Sequence, residues 1–325
     1  MVTDLNGNLK KLSLSDIIKL GQKCTIYNAK IVNGNLVSKF GEFEITTVYN
    51  TDSFKIEDNC LVEYTGNDVN VNIPPRVKSI GHGAFKDCSS IKSINIPKGV
   101  VSIGIMAFAG CVNLESVNIP NSVTHIGDMA FADCEHLESV NIPNSVTSIG
   151  DGVFSNCASL TFITIPDSVT SIGSSAFSKC KSLKSVVIPS SVTNTGTAVF
   201  SKCKSLKSVV IKSSMTKIED YMFEGCESLS SIAIPNRVTS IGTSAFIDCL
   251  SLVSIKIPDS VTSIDNNAFY GCIGLTSVKL SERLISIGDN AFYKCEGLTS
   301  VKIPDSVTSI GDHAFSCCSA LNTII

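Results

Sequence analysis

Several features that commonly signal function are missing from these 325 residues. There is no tryptophan, and aromatic residues make up 6% and charged residues 17% of the chain. The formal net charge is −3, so no charge excess points to nucleic acid or to a membrane surface. No apolar run approaches the roughly 18 residues of a membrane-spanning helix, so we expect no membrane insertion. The opening residues, MVTDLNGNLKKLSL, lack the apolar core of a secretion signal.

Motifs of catalysis and cofactor binding are also missing. There is no GxSxG nucleophile elbow and no GxxxxGK[ST] phosphate loop. No Cys–His pair recurs with zinc-ligand spacing, and the four histidines lie in different sequence contexts: His82, His125, His136 and His313. We therefore predict a protein that is not an enzyme and that uses no cofactor and no metal.

What the chain does contain is one 23-residue phrase, repeated eleven times without insertion or deletion. Ile165–Val187, IPDSVTSIGSSAFSKCKSLKSVV, is a typical copy. Copies begin at Ile73, Ile96, Ile119, Ile142, Ile165, Ile188, Ile211, Ile234, Ile257, Leu280 and Ile303. A fixed period of this length predicts a solenoid, in which one supersecondary unit stacks on itself.

Within a repeat the residue pattern predicts two strands and a turn. Leu183–Ile188 alternates apolar and polar side chains as a strand does, and Pro189 ends it because proline donates no backbone hydrogen bond. Val192–Thr195 is predicted as a second short strand, and Gly196 as a corner that adopts a positive φ. Ala198–Cys203 has helical spacing and is predicted to form a single helical turn.

Two side chains recur in all eleven copies and predict buried columns. They are a phenylalanine, from Phe85 to Phe315, and a cysteine, from Cys88 to Cys318. We predict that these cysteines are buried free thiols, since parallel Cβ vectors on stacked repeats disfavour disulfides. Ordering one repeat costs roughly 25–45 kcal/mol of backbone entropy. Its buried side chains return only about 10–20 kcal/mol, so neighbouring repeats must share their faces.

Residues 1–53 lie outside the repeat. We predict a helix at Leu12–Lys23, a hairpin of Thr25–Ile31 and Leu36–Phe40 around Asn33-Gly34, and a strand at Glu42–Tyr49. The segment is either a cap for the first repeat or a small independent domain.

Residues 54–72 connect this segment to the repeats of residues 73–325. Leu61–Tyr64 and Val69–Asn72 are predicted to form a hairpin around Thr65–Asp68. The second arm should continue as the first inner strand, Val71–Ile73.

The spacing LxxVxIPxxVxxIGxxAFxxC resembles the BspA-like leucine-rich repeat family, and Leu61-Val-Glu-Tyr-Thr-Gly is similar to that family's entry into its first repeat. The resemblance covers Ile73–Ile325. It implies a β-rich α/β solenoid, a leucine-rich repeat superhelix with a concave parallel β-sheet and with short turns or single helical turns on its convex side. It also implies a surface or secreted protein, often an adhesin that binds host matrix proteins, other cells or glycans.

Some repeats depart from the consensus. Lys212 and Ser281 stand in place of proline, and Glu219 and Asp265 in place of the corner glycine. Most departures fall within Thr195–Met222. They reflect either neutral drift or, near the middle of the solenoid, a softer seam or a local change of curvature.

Outward strand positions vary along the solenoid and indicate where a ligand would bind. Phe162 replaces the usual serine, and Val187 and Val210 lie between a column of Asn residues and a column of Lys residues. An exposed apolar cluster of this kind marks interaction sites. With Lys184 and Lys207 as charge partners, these residues are the candidate ligand-binding site. The alternatives are that one exposed phenylalanine has no function and that the lysines form a solvated edge.

We therefore expect a non-catalytic binding protein that recognises a protein or glycan through its concave face. An extracellular or cell-surface adhesin is favoured by the resemblance. A cytoplasmic interaction scaffold or a structural surface component is the alternative. Nucleic acid is not expected as a partner, since no aromatic stacking series accompanies the lysines. The C-terminal rung ends within its strand at Ile325, so end-to-end association is a further expectation.

Overall fold

A computed structural model describes residues 52–325 and, before them, four short strands. Val2–Thr3 pairs antiparallel with Leu9–Lys10, and Ala29–Val32 pairs antiparallel with Asn35–Ser38. The second pair is the core of the predicted hairpin. The helix predicted at Leu12–Lys23 and the strand predicted at Glu42–Tyr49 lie outside the described residues.

From Phe54 onward the chain winds into a parallel-strand β-solenoid of about twelve turns. Each 23-residue turn is called a rung here, and all but one of the rungs between residues 70 and 310 contribute one strand to each of two parallel ladders. The first-strand ladder consists of Asn70–Asn72, Ser93–Asn95, Ser116–Asn118, Ser139–Asn141, Ser185–Ile188, Ser208–Ile211, Ser231–Ile232, Ser254–Lys256, Ser277–Lys279, Ser300–Val301 and Thr323–Ile324. The second-strand ladder consists of Cys60–Tyr64, Ser79–Ile80, Ser102–Ile103, His125–Ile126, Ser148–Ile149, Ser171–Ile172, Asn194–Thr195, Lys217–Ile218, Ser240–Ile241, Ser263–Ile264, Ser286–Ile287 and Ser309–Ile310.

The register of both ladders equals the sequence period. Val117 pairs with Ile94 on one side and with Val140 on the other. Equivalent residues of successive rungs are therefore neighbours, about 4.8 Å apart. The predicted solenoid and both predicted strands per repeat are confirmed.

The predicted helical turns are absent and the α/β description is not confirmed, because no helix occurs in residues 52–325. The turn side of each rung gives its N–H groups to two kinds of acceptor. Phe200 donates to Met222 of the next rung at 3.0 Å, whereas Ser201 donates three residues back to Ala198 at 3.1 Å. Ala198 and Lys202 have φ near 60°. Positive φ and hydrogen bonding between rungs are both incompatible with an α-helical turn.

The predicted conformation of the corner glycine is also wrong. Gly196 does not have a positive φ, which falls instead on Ala198, two residues later. The glycine is needed for space. A Cβ on Gly196 would lie 2.7 Å from the Cα of Ser174, and one on Gly104 would lie 2.7 Å from the carbonyl carbon of Gly81. The corner glycine therefore lets successive rungs approach each other.

The entry into the solenoid differs from the predicted hairpin. Cys60–Tyr64 pairs antiparallel with Phe54–Glu57, and on its other edge it pairs parallel with Ser79–Ile80. Asn70–Asn72 pairs parallel with Ser93–Asn95. The two predicted hairpin arms thus belong to different ladders of the solenoid. The reason is that both arms have the apolar pattern of a rung strand. The following rung provides each arm with a parallel partner strand. The predicted first inner strand is confirmed.

The core is a set of continuous side-chain columns. Phenylalanine rings stack from Phe85 to Phe315, with centroids 5.0–5.9 Å apart, and Phe200 is completely buried between its neighbours. The repeat cysteines are free thiols, as predicted, and Cys203 Sγ donates to the Phe177 carbonyl at 3.2 Å. Burial raises the pKa of the Cys180 thiol to about 12. These columns place all outward strand residues on regular surface rows.

Candidate ligand-binding surface

Pairing in the first-strand ladder is missing at three places in residues 52–325, and at one of them a rung also lacks the strand itself. Residues 162–165 lie between Ser139–Asn141 and Ser185–Ile188 but form no strand and make no backbone hydrogen bond within the described part of the chain. Immediately before this segment, Thr161 is still hydrogen-bonded to both neighbouring rungs. Its N–H donates to the Glu138 carbonyl at 3.4 Å, and its carbonyl accepts from the Lys184 N–H at 3.1 Å. The rung thus follows the general path of the solenoid while its strand segment separates from both neighbours.

A hollow of about 330 Å³ occupies this interruption. It is lined by Phe162, Ile163, Thr164, Ile165, Asp167, Ser185, Val186, Val187, Pro189 and Lys212. The hollow is open to solvent on the outer side of the first strands. Its walls are mostly apolar, with one carboxylate and one ammonium group among them. A hollow of this composition suits an apolar side chain of a partner whose neighbouring groups are polar.

Two of the predicted site residues meet in this hollow. Phe162 is 58% exposed and Val187 is 44% exposed, and both line the same space. Val210 is paired in register with Val187 on the next rung and is also exposed, but it does not line the hollow. The three side chains therefore lie in an apolar strip across three successive rungs, with the hollow at one end. This strip is called the apolar strip below.

The two predicted charge partners flank the apolar strip without entering the hollow. Lys184 and Lys207 occupy equivalent positions on neighbouring rungs, and the Lys207 N–H donates to the Lys184 carbonyl at 2.9 Å. Both side chains are exposed, and neither has an ion-pair partner among residues 52–325.

The two charged residues of the hollow, Asp167 and Lys212, were not among the predicted site residues. Lys212 replaces the proline that ends most first strands, and this departure was the available sequence signal. Unlike proline it has an N–H, which donates to the Ile188 carbonyl at 2.9 Å and extends the pairing of Ser185–Ile188 with Ser208–Ile211. Asp167 carries no such signal, because polar residues commonly follow the proline in this repeat.

The sequence SKCKSLKS occurs at residues 178–185 and again at 201–208, which places six lysines on neighbouring rungs. This basic cluster is partly neutralised. Lys202 lies 3.5 Å from Glu224, and Lys204 lies 2.8 Å from Glu227 on the next rung. These contacts are exposed and contribute little stability. They do remove two of the six lysines from the set that could attract an anion.

A second polar cluster lies on the opposite corner of the solenoid, where Glu219 and Asp265 replace glycine. Lys217 contacts Asp220 at 2.9 Å and Glu219 at 3.6 Å. Its hydrogen bond to Asp220 raises the Lys217 pKa, and burial raises the pKa of Glu219. Next to Glu219, no pairing joins Asn194–Thr195 to Lys217–Ile218. The interruption falls within the stretch where consensus departures concentrate. We assign this cluster no ligand.

Neither a metal centre nor a membrane helix is found in the part of the chain that the structure describes. No three His, Cys, Asp or Glu side chains there converge as metal ligands, and no described helix is long and apolar enough to cross a bilayer.

The family model for the BspA type leucine rich repeat region matches residues 54–180, 147–275 and 239–325. A leucine-rich cell surface protein of Faecalibacterium prausnitzii, of known structure, is 32% identical over 83% of this chain and 92% of that chain, with a TM-score of 0.52. The chain belongs to the BspA-type leucine-rich repeat family.

Two other solved structures are similar to this BspA-type protein. A leucine-rich repeat protein of Bacteroides ovatus is 26% identical over 92% of this chain and 91% of that one, with a TM-score of 0.49. The pneumococcal vaccine antigen PcpA is 20% identical over 92% of this chain and 70% of its own, with a TM-score of 0.50, and shows the fold alone. No curated protein sequence is significantly similar.

Membership of the BspA-type family defines the general class of activity. Leucine-rich repeat solenoids serve as protein-interaction scaffolds and are typically non-catalytic. BspA-type proteins are typically found on bacterial cell surfaces. The family does not specify which surface of the BspA-type solenoid contacts a partner.

Proposed function

We propose that this protein is a surface or secreted binding protein that recognises a protein partner through the apolar strip of Phe162, Val187 and Val210. The observation that carries the proposal is the 330 Å³ hollow at the interrupted rung, which joins Phe162 and Val187 in one apolar recess. The surface location is supported by the cell surface protein of F. prausnitzii, which is 32% identical.

Recognition at this site would combine an apolar anchor with charge steering. A partner side chain entering the hollow removes apolar area from water, worth about 1.5–3 kcal/mol for a fully buried residue. Lys184 and Lys207 then favour partners with carboxylates beside that anchor. The other rungs add contacts over a long rigid surface. In such an arrangement each rung contributes a modest part of the affinity. The irregular rung of residues 162–165 provides the specificity.

The test is a screen of purified extracellular-matrix proteins, followed by substitution. We expect Phe162→Ser with Val187→Ser to weaken binding of a captured partner by about tenfold or more, since roughly 1.4 kcal/mol corresponds to that factor. A matched control is Val101→Ser with Ile285→Ser, because these two aliphatic residues are 49% and 51% exposed and lie outside the hollow.

The control variant is expected to bind as the unmodified protein does. Equal binding by both variants would assign the contact to another surface. Equal loss in both variants would show that exposed apolar area in general, not the hollow, controls binding.

A further inference from the structure

A row of three lysines lies towards the C-terminal end, on the face formed by the outward first-strand residues that also carries Val187 and Val210. Lys256 and Lys279 are paired in register on adjacent first strands, and Lys302 occupies the equivalent position on the following rung. All three side chains are exposed. This set is called the lysine row below. It continues the column that begins with Asn72, Asn95, Asn118 and Asn141, so its charge is a local feature of the last rungs.

The lysine row is almost unneutralised by the protein itself. Among the described residues, Lys302 has one carboxylate nearby, that of Glu282 at 3.8 Å, and Lys256 and Lys279 have no ion-pair partner. Like charges directly opposite each other on paired strands are destabilising. The arrangement therefore leaves Lys256 and Lys279, on paired strands about 4.8 Å apart, without an ion-pair partner. Lys302 follows on the next rung, which is not paired with Ser277–Lys279, and has only the exposed contact with Glu282.

Hydroxyl groups run parallel to the lysine row. Ser254 and Ser277 are paired in register two residues before Lys256 and Lys279, and Ser300 follows on the next rung. All three serines are exposed outward positions, and none of their hydroxyls makes a hydrogen bond to another described residue. The face thus presents paired rows of cations and hydrogen-bonding hydroxyls along the solenoid axis.

We propose that the lysine row binds a linear acidic polysaccharide whose chain runs along the solenoid axis. A pyranose ring with its bridging oxygen advances a chain by close to one rung. If all carboxylates of the polysaccharide face the protein, one carboxylate lies at every rung. If successive carboxylates alternate between the two sides of the chain, one faces the protein at every second rung. Either pattern keeps register with the lysines, and the sugar hydroxyls lie beside the serine row.

An acidic polypeptide fits this row less well. In an extended peptide, side chains on one side recur every two residues, about 6.7 Å, so carboxylates drift out of register with lysines spaced about 4.8 Å apart. Single-stranded nucleic acid would require aromatic side chains to stack its bases, and the lysine row has none beside it. The commensurate spacing is what selects a uronate polymer.

The experiment measures binding of an oligogalacturonate of defined length by isothermal titration calorimetry. The full chain should bind it, and more weakly as sodium chloride is raised, since exposed charges are screened. The methyl-esterified oligomer, which keeps the sugar chain but has no charge, should not bind. Lys256→Gln with Lys279→Gln should weaken binding by about tenfold, the combined effect of two surface charge contacts.

The matched control is Lys78→Gln with Lys86→Gln, which removes the same charge from two exposed lysines outside both the row and the basic cluster. It should bind as the unmodified protein does, and circular dichroism melting verifies that both variants are folded. An equal loss in both double variants, binding of the methyl ester, or no binding at all would overturn the proposal. Equal affinity for polyglutamate would replace it with an acidic polypeptide ligand.

Discussion

Replacing Gly104 by alanine tests the role that the structure gives to the corner glycines. A Cβ at this position would lie 2.7 Å from the carbonyl carbon of Gly81 and 2.9 Å from the backbone nitrogen of His82. These are backbone atoms, and the Gly104 N–H is held by the Ile80 carbonyl at 2.8 Å. Relief therefore requires a shift of one rung against the next.

The expected cost is that of inserting a methyl group into a tightly packed contact, about 1–3 kcal/mol. Alanine also reduces the entropy of the unfolded chain, which stabilises the protein by roughly 0.4–1 kcal/mol. The variant should fold, because Asp265 occupies the corresponding corner and still donates its N–H to the Ile241 carbonyl at 2.9 Å.

Gly99→Ala is the matched control. Its Cβ would meet first the ammonium nitrogen of Lys78, at 2.7 Å, which is the mobile end of a long side chain. The unfolded-state gain is common to both variants, so their difference isolates the clash between rungs. Urea unfolding followed by circular dichroism should place Gly104→Ala about 1–3 kcal/mol below Gly99→Ala in unfolding free energy. Equal stabilities would refute the view that these glycines provide space between rungs.

Three further outcomes follow from the buried columns and the strand pairing. Phe200→Ala should cost about 3–5 kcal/mol of unfolding free energy, and Phe315→Ala clearly less because its ring is only half buried; equal losses would argue against the stacked column. Lys212→Pro removes the N–H that donates to Ile188 and should cost about 1 kcal/mol in the same assay, and an unchanged midpoint would contradict this. Burial raises the pKa of Cys180 from 9.0 to about 12, so the folded chain retains a proton that the unfolded chain releases. Stability should therefore fall between about pH 9 and 12 in urea midpoints, and Cys180→Ala should reduce that slope.

The candidate site shows how far local sequence reasoning reaches. Phe162 was identifiable because it breaks a column of serines, and Val187 and Val210 because they divide an amide column from a lysine column. Asp167 and the hollow itself were not identifiable. They depend on residues 162–165 separating from both neighbouring strands, and the consensus residues of that rung predict a normal strand.

The repeat period by itself determined the register of this protein. With 23 residues per turn and no insertions, Val117 must neighbour Ile94 and Val140, and the phenylalanines and cysteines must form columns. Those conclusions need only the spacing of apolar residues, because burial is the dominant stabilising term and each side chain has an identical neighbour one rung away.

Tertiary structure decided how the backbone uses that register. Whether Phe200 donates within its own turn or to Met222 depends on a competition between local and inter-rung hydrogen bonds, and the inter-rung partner exists only once the rungs are stacked. The function of the corner glycines has the same origin, since Gly104 is constrained by Gly81 and not by its own φ. Helical spacing in the sequence therefore became a turn, because the adjacent rung supplied better-placed acceptors than the helix would have done.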